Sequence, residues 1–127
     1  PGNNQLVLTI QPDLPEISAD PERLIQVLTN LISNAERHTR NGTITISLSG
    51  EPGWQTICVS DTGTGMSEEM RKNALKGYVS ADKDYWRHGI GLYVCHQIIT
   101  AHDGKIWLKS KEGEGTQVFF SLPEEES

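Results

Sequence analysis

The sequence predicts an α/β two-layer sandwich, a mixed and largely antiparallel sheet of about five strands covered on one face by about three helices. Three observations predict it. Segments of period two and segments of helical period follow one another in the order β-α-β-β-α-loop-α-β-β. Two neighbouring strand pairs are joined by short glycine turns, which forces antiparallel pairing. The two long helical segments carry an apolar stripe, which a sheet face can bury.

The elements follow in order. "QLVLTIQ" (Gln5–Gln11) alternates apolar and polar residues, the pattern of a half-buried strand. A proline-punctuated loop leads to Asp20-Pro21, an N-cap followed by a first helical position. From there Leu24, Val27, Leu28, Leu31, Ile32 and Ala35 keep helical spacing, and the helix is expected to end near Thr39. "TITISLS" (Thr43–Ser49) and "WQTICVSD" (Trp54–Asp61) form a hairpin across "EPG". Ser67 caps a short helix that runs toward Gly77, with Glu68 and Glu69 in its first turn. Tyr78–His88 has no clean period and reads as a long loop. "GIGLYVCHQIITAHDG" begins with glycines and becomes helical, with Leu92, Cys95, Ile98 and Ile99 as its core stripe and Gly104 as its stop. "KIWLKS" and "TQVFFSL" form the last hairpin around "KEGEG", its polar side toward water.

Size and charge bound the function. The 127 residues suit one domain, 1–127, with a core large enough to need no staples. Because the chain starts at Pro1 and enters a strand at once, it is expected to be a piece of a longer protein, with the acidic tail 124–127 frayed. A net charge of −6 argues against nucleic acid and against an anionic membrane surface, though a local basic pocket for one anionic ligand remains open. No apolar run approaches the ~20 residues that span a bilayer, and no signal peptide is visible. Cys58 and Cys95 lie in apolar segments and read as buried thiols, which suits a cytoplasmic location.

Four stretches carry chemistry. In "NLISNAERHT", Asn30, Asn34 and Arg37 fall on one stripe of the first helix, with His38 on its flank. Asparagine costs a helix interior roughly 0.5 kcal/mol against alanine. A solvated face is one explanation of the stripe. The other is chemical: an asparagine oxygen is a neutral, hard ligand for Mg2+, an ion that needs few protein ligands when phosphates and water supply the rest. "VSDTGTGMS" delivers Asp61 from a strand end, followed by Gly63 and Gly65. A tight turn explains that arrangement, and so does a carboxylate that accepts a hydrogen bond from an exocyclic amine such as adenine N6. "RHGIGLYV" places Gly89 and Gly91 where a loop becomes a helix, with Arg87 before them. It reads either as a packing turn or as a phosphate-binding helix N-terminus. "GEGTQVFFSLP" brings Thr116 out of a glycine turn and alone is only a hairpin.

In this order and spacing, the four stretches resemble the ATP-binding catalytic domain of bacterial sensor histidine kinases, within the GHKL or Bergerat-fold superfamily. "ADPERLIQVLTNLISNAERHT" resembles the N box, and "DTGTG", "GIGL" and "GEGT" resemble the three glycine boxes. The likeness covers about residues 5–123, and no Walker-type phosphate loop is present. It implies ATP and Mg2+ as ligands, with Asn34 on the metal and Asn30 and Arg37 assisting at the phosphates. It places His38 and Thr116 beside the base, Asp61 on the adenine, and Gly63 and Gly65 around its pocket. Arg87, His88, Gly89, Gly91 and Leu92 then belong to the phosphate-facing end of a lid, with Tyr78 as the counterpart of a lid aromatic. Two departures stand out: Arg87 where the family has a glycine, and a poorly matched lid segment at "LKGYVS".

Asn30 separates two chemistries. The resemblance implies that hydrolysing relatives carry a glutamate there as general base, and that anti-sigma-factor serine kinases also have an acidic residue. An amide cannot take a proton, and Glu36 lies off the stripe. The implied partners are a dimerisation and phosphoacceptor domain of the parent chain, since no histidine here sits in an acceptor motif, and the receiver domain of a response regulator. On this reading the isolated domain does not phosphorylate itself. The alternatives are an anti-sigma-type serine kinase or other GHKL ATPase, and an interaction module that has lost its nucleotide.

Overall fold

The structure is a computed structural model. It describes residues 3–14, 16–74 and 83–124, and of Asn73 and residues 83–91 it describes the backbone only. The elements are β1 (Gln5–Ile10), α1 (Pro21–His38), β2 (Thr43–Glu51), β3 (Trp54–Asp61), α2 (Glu68–Asn73), α3 (Lys83–Ala101), β4 (Lys105–Lys111) and β5 (Gly115–Pro123). The five strands form one open sheet in the order β1-β2-β3-β5-β4. β1 and β2 run parallel, which requires the α1 crossover, and the other neighbours are antiparallel. The mixed five-stranded sheet with three helices is the predicted architecture.

Local chemistry sets the helix ends. The Asp20 side chain accepts from the Glu22 N–H at 3.0 Å, Pro21 opens α1, and Thr39 closes it in extended conformation. Ser67 caps α2 by accepting from the Met70 N–H at 3.2 Å. At the end of α3 the left-handed residue is Asp103, at φ 60°, rather than the expected Gly104. His102 ties the two long helices together: its Nε2 accepts from the Asp20 N–H at 3.1 Å, and its Nδ1 lies 2.8 Å from the Ile98 carbonyl.

The core lies between the sheet and its helices. Ile44, Ile57, Val59, Val118, Phe120 and Leu122 project from one face of the sheet. Val27, Leu31 and Ala35 of α1 and Leu92, Cys95 and Ile99 of α3 close over them. Both cysteines are free and buried. Burial pushes the Cys95 thiol up to about 11 and also raises Cys58, so both stay protonated at neutral pH. Iodoacetamide at pH 7.5 should therefore leave both unmodified over an hour in the native protein and alkylate both within minutes in guanidinium, as mass spectrometry would read. Rapid native labelling of Cys95 would place it outside the core.

Three expectations are corrected. β1 is exposed along its whole length instead of half-buried, with Leu6, Leu8 and Ile10 about 60% accessible. The reason is width. Five strands span roughly 24 Å and two helices cover roughly 20 Å. α1 lies over β2 and β3, and α3 over β4 and β5, so the helix layer ends before β1. Second, α3 begins at Lys83, so the last part of the expected loop Tyr78–His88 is helical, and Gly89 and Gly91 lie inside the helix instead of at its start. Interior glycine costs a helix only about 1 kcal/mol relative to alanine, too little to stop one whose neighbours favour it. Third, Glu124 is held, not frayed: its N–H donates to the Gly53 carbonyl at 3.0 Å, and it bridges Ile17. Tyr78 and residues 125–127 lie outside the described residues.

Candidate functional site

Three backbone segments meet at one end of the sheet: the last turn of α1, the loop that leaves β3, and the β4–β5 turn. The His38 carbonyl accepts from the Thr64 N–H at 3.0 Å, and the Thr64 carbonyl accepts from the Gly113 N–H at 2.7 Å. These approaches leave no room for side chains. A Cβ on Gly63 would stand 2.1 Å from the His38 carbonyl oxygen. One on Gly65, whose φ is +70°, would stand 2.1 Å from that of Lys111. The first and last glycine motifs are thus two sides of one contact, a relation that the sequence does not display. Gly65→Ala should destabilise the domain by more than about 1 kcal/mol, since it combines a left-handed φ with a backbone clash. A thermal-denaturation midpoint equal to the wild type would show that the loop relaxes freely.

Asp61 stands where these segments converge. It is opposite Thr116 in the β3–β5 register. Its Oδ1 accepts from the Gly63 N–H at 2.9 Å and from the Thr116 N–H at 3.3 Å. Burial pushes its carboxyl above the ordinary value. The Gly63 and Thr116 N–H groups and the charge of His38 draw it back only in part. One carboxylate oxygen is thus committed to the protein backbone by these bonds. The Thr39 hydroxyl also lowers the Asp61 value, yet its buried Oγ1 completes no hydrogen bond of ordinary geometry. Thr39 is 1% exposed and so acts on Asp61 from inside the protein. The half-buried Asp61 carboxylate can accept from the amine of a base.

Two cavities flank this point and share Thr62. One, of about 390 Å3, is lined by Ser60, Asp61, Lys109, Ser110 and Gln117 among others, and it opens largely on the sheet face away from the helices, where Ser60, Gln117 and Lys109 pair in register. The other, of about 340 Å3, is lined by Arg37, His38, Arg40, Thr62, Gly63 and Thr64. Arg37 is exposed and His38 half-buried. Backbone contacts bring together His38, Asp61, Gly63, Gly65 and Thr116, with Arg37 lining the second cavity. Gly65 and Thr116, like Asn30 and Asn34, line neither cavity. Both asparagines are half-buried, and the Asn30 side chain lies beside the Cys95 thiol of α3. Leu92 is 1% exposed and belongs to the core, as its stripe predicted, so its side chain is closed to a ligand. Gly89 and Gly91 are in α3, while the side chains of Arg87 and His88 lie outside the described residues.

Sequence reasoning missed two residues. Thr39 follows directly on the helix motif, but its role beside Asp61 rests on burial, which the sequence does not display. Ser110 is the other. Its Oγ accepts from the Met66 N–H at 2.8 Å, lies 2.8 Å from Thr116 Oγ1, and reaches the Gly115 carbonyl at 3.1 Å. It ties Thr116 to the first glycine loop. Only the β4–β5 register, which pairs Ser110 with Thr116, places it there.

A metal would have few protein ligands. Among the described residues, no group of three or more His, Cys, Asp and Glu side chains could hold one. A neutral amide such as Asn34 fits an ion held mainly by nucleotide oxygens. No helix among the described residues is long and apolar enough to cross a membrane.

Known proteins share this fold. Residues 19–126 match the family described as histidine kinase-, DNA gyrase B-, and HSP90-like ATPase. The chain is 41% identical over 123 residues to the adaptive-response sensory kinase SasA of Synechococcus elongatus, covering 94% of this chain and 32% of that protein. It is 39% identical over 119 residues to the SasA of a Nostoc species, covering 90% of this chain and 29% of that one. It spans about a third of the length of these curated relatives. The catalytic domain of histidine kinase ThkA, solved nucleotide-free, superposes with a TM-score of 0.83 at 29% identity over 96% of this chain and 81% of that one. Full-length ShkA, solved with AMPPNP, superposes with a TM-score of 0.81 at 25% identity over 98% of this chain and 27% of that one. The chain belongs to the histidine kinase-, DNA gyrase B- and HSP90-like ATPases, as the ATP-binding domain of a sensor histidine kinase.

Proposed function

We propose that this domain binds Mg-ATP and presents its γ-phosphate to a histidine on a separate dimerisation domain of the parent chain, from which it passes to an aspartate of a receiver domain. The observation that carries the reading is the half-buried Asp61 carboxylate, held by the Gly63 and Thr116 N–H groups. Asp61 accepts from the adenine amine and sets the orientation of the base. Gly63 and Gly65 keep the pocket wall to bare backbone, Thr116 borders it, and His38 lies along the ring. Arg37, exposed at the mouth of the cavity, meets phosphate oxygens. Asn34 would hold Mg2+, with Asn30 assisting at the phosphates. When bound, the ion neutralises charge on the phosphates and aligns them. The lid role of Tyr78, Arg87, His88, Gly89, Gly91 and Leu92 rests on the resemblance alone, with Gly89, Gly91 and Leu92 lying within α3 and Tyr78 outside the described residues.

Phosphoryl transfer asks for positioning and charge neutralisation more than for covalent chemistry. Asn30 cannot act as a base toward water, and Glu36 is exposed on another face of α1. The bound nucleotide is therefore kept from rapid hydrolysis until an acceptor imidazole arrives.

Thermal denaturation in the presence of ATP, GTP or neither, with and without Mg2+, tests the binding reading. Saturation at a hundred times Kd should add about 2.7 kcal/mol for Mg-ATP. GTP should do little. Asn34→Ala should remove the Mg2+ dependence while leaving some response to free ATP. An equal response to ATP and GTP, or none to either, would overturn the assignment of Asp61 and the site with it. With the cognate helical domain added in trans, acid-labile phosphohistidine should form; acid-stable phosphoserine on a partner would favour the serine-kinase alternative.

A further inference from the structure

The exposed apolar residues of this domain are not scattered. Of the seven large ones among the described residues, five are Leu6, Val7, Leu8 and Ile10 of β1 and Ile25 of α1. Leu6, Leu8 and Ile10 pair in register with Ile44, Ile46 and Leu48 of β2. Paired residues in neighbouring strands share a face, and Ile44 is buried in the core. The three β1 side chains therefore continue the core face of the sheet past the point where the helices stop. Their exposures are 59%, 61% and 62%.

The wall of this trough is α1. Its α3-facing flank is marked by Val27, whose carbonyl lies 3.8 Å from the Cys95 thiol, and by Asn30. At 100° per residue, Ile25, Leu28 and Ile32 lie on the opposite flank, toward β1. Ile25 is 63% exposed. The trough lies above β1 and beside α1. It ends in an apolar cavity of about 670 Å3 lined by Ile10, Leu14, Ile17, Leu24 and Leu48 among others.

Charge says what covers it. Residues 1–22 contain Asp13, Glu16, Asp20 and Glu22 and no lysine or arginine. Asp13 and Glu16 rim the cavity, and Glu36 is exposed on the β1 side of α1. Arg23 and Arg37 fall on the other side of α1. The two sheet edges differ in the same way. β4 carries Lys105, Lys109 and Lys111, the usual protection of an exposed edge, whereas β1 carries no charge at all.

We propose that the β1–α1 trough is a docking groove for an amphipathic helix whose aliphatic stripe is bordered by lysine and arginine. Such a helix would complete the helix layer over β1, bury Leu6, Leu8, Ile10 and Ile25, and set its basic borders against Asp13, Glu16 and Glu36. This surface lies apart from the residues assigned to nucleotide, so its occupant is read independently of that assignment.

The probe is a synthetic 20-residue Leu/Lys peptide of helical periodicity, titrated into the 15N-labelled domain. Three controls accompany it: the same composition with strand periodicity, a Leu/Glu helix, and the domain alone in sedimentation equilibrium. The Leu/Lys helix should shift the amides of Leu6, Leu8, Ile10, Ile25 and Ile32. Binding should weaken at least tenfold for Leu8→Lys and for Ile25→Lys, substitutions at exposed positions that leave folding intact. The Leu/Glu helix should bind at least tenfold more weakly. Shifts spread over other acidic surfaces would overturn the proposal. Equal binding of the strand-period peptide would make β1 an edge for strand addition, and a dimer broken by Leu8→Lys would make a second copy the occupant. Either result would also overturn it.

Discussion

Asp61→Asn is expected to have two opposite effects: a higher melting temperature for the nucleotide-free domain at neutral pH, and an ATP affinity about 10- to 100-fold lower. The stability effect follows from burial, which raises the Asp61 carboxyl above its unfolded value. A carboxyl raised in this way binds its proton more tightly in the folded state than in the unfolded one. Its ionisation therefore costs stability, in full above the folded value and not at all below the unfolded value near 3.9. The wild-type domain should gain stability from this group as pH falls through that window, and Asp61→Asn should show no such gain. Asparagine keeps an oxygen for the Gly63 and Thr116 N–H groups, so the local fold is preserved. It replaces the other oxygen with an amino group, which meets the adenine amine donor to donor. A hydrogen bond to a charged partner is worth about 1.5–3 kcal/mol, which sets the expected loss. Calorimetry of ATP and of inorganic triphosphate separates the outcomes. Equal losses for both would mean that Asp61 does not read the base.

Phe120→Ala should cost about 3–5 kcal/mol, a large share of the roughly 5–15 kcal/mol that holds a domain of this size. Phe120 is 0% exposed and is among the largest of the fully buried side chains. In register it stands between Ile57 of β3 and Ile106 of β4, so it fills the middle of the core layer. Urea denaturation followed by circular dichroism measures the effect. Phe120→Leu, which keeps most of the volume, should lose about 1–2 kcal/mol and serves where the alanine variant fails to fold. A loss below 1 kcal/mol for alanine would place Phe120 outside the core.

Much of the fold was legible because it is written in short-range patterns. The alternation of "TITISLS" and "WQTICVSD", the cap at Asp20, the stripe from Leu24 to Ala35 and the glycine turns each depend on residues a few places apart. β1 shows the limit of that reading. Its alternation predicts one buried face, yet no helix reaches it, because coverage depends on the width of the sheet and the number of helices above it. The start of α3 shows another limit. Two glycines predict a helix beginning, but the backbone continues through them from Lys83.

The sequence by itself determined the order of the elements, the apolar face of each, and the residues with chemistry to offer: Asn30, Asn34, Arg37, His38, Asp61 and Thr116. It did so because side-chain type and local period survive without knowledge of distant partners. Only the tertiary structure decided which of those residues share a site. Thr64 and Gly113, and likewise Asp61 and Thr116, are brought together by the β3–β5 pairing, which joins backbone groups far apart along the chain. The glycines at 63, 65 and 115 then follow from close contact between main chains, and the Thr39 and Ser110 hydroxyls become part of the site through burial and register.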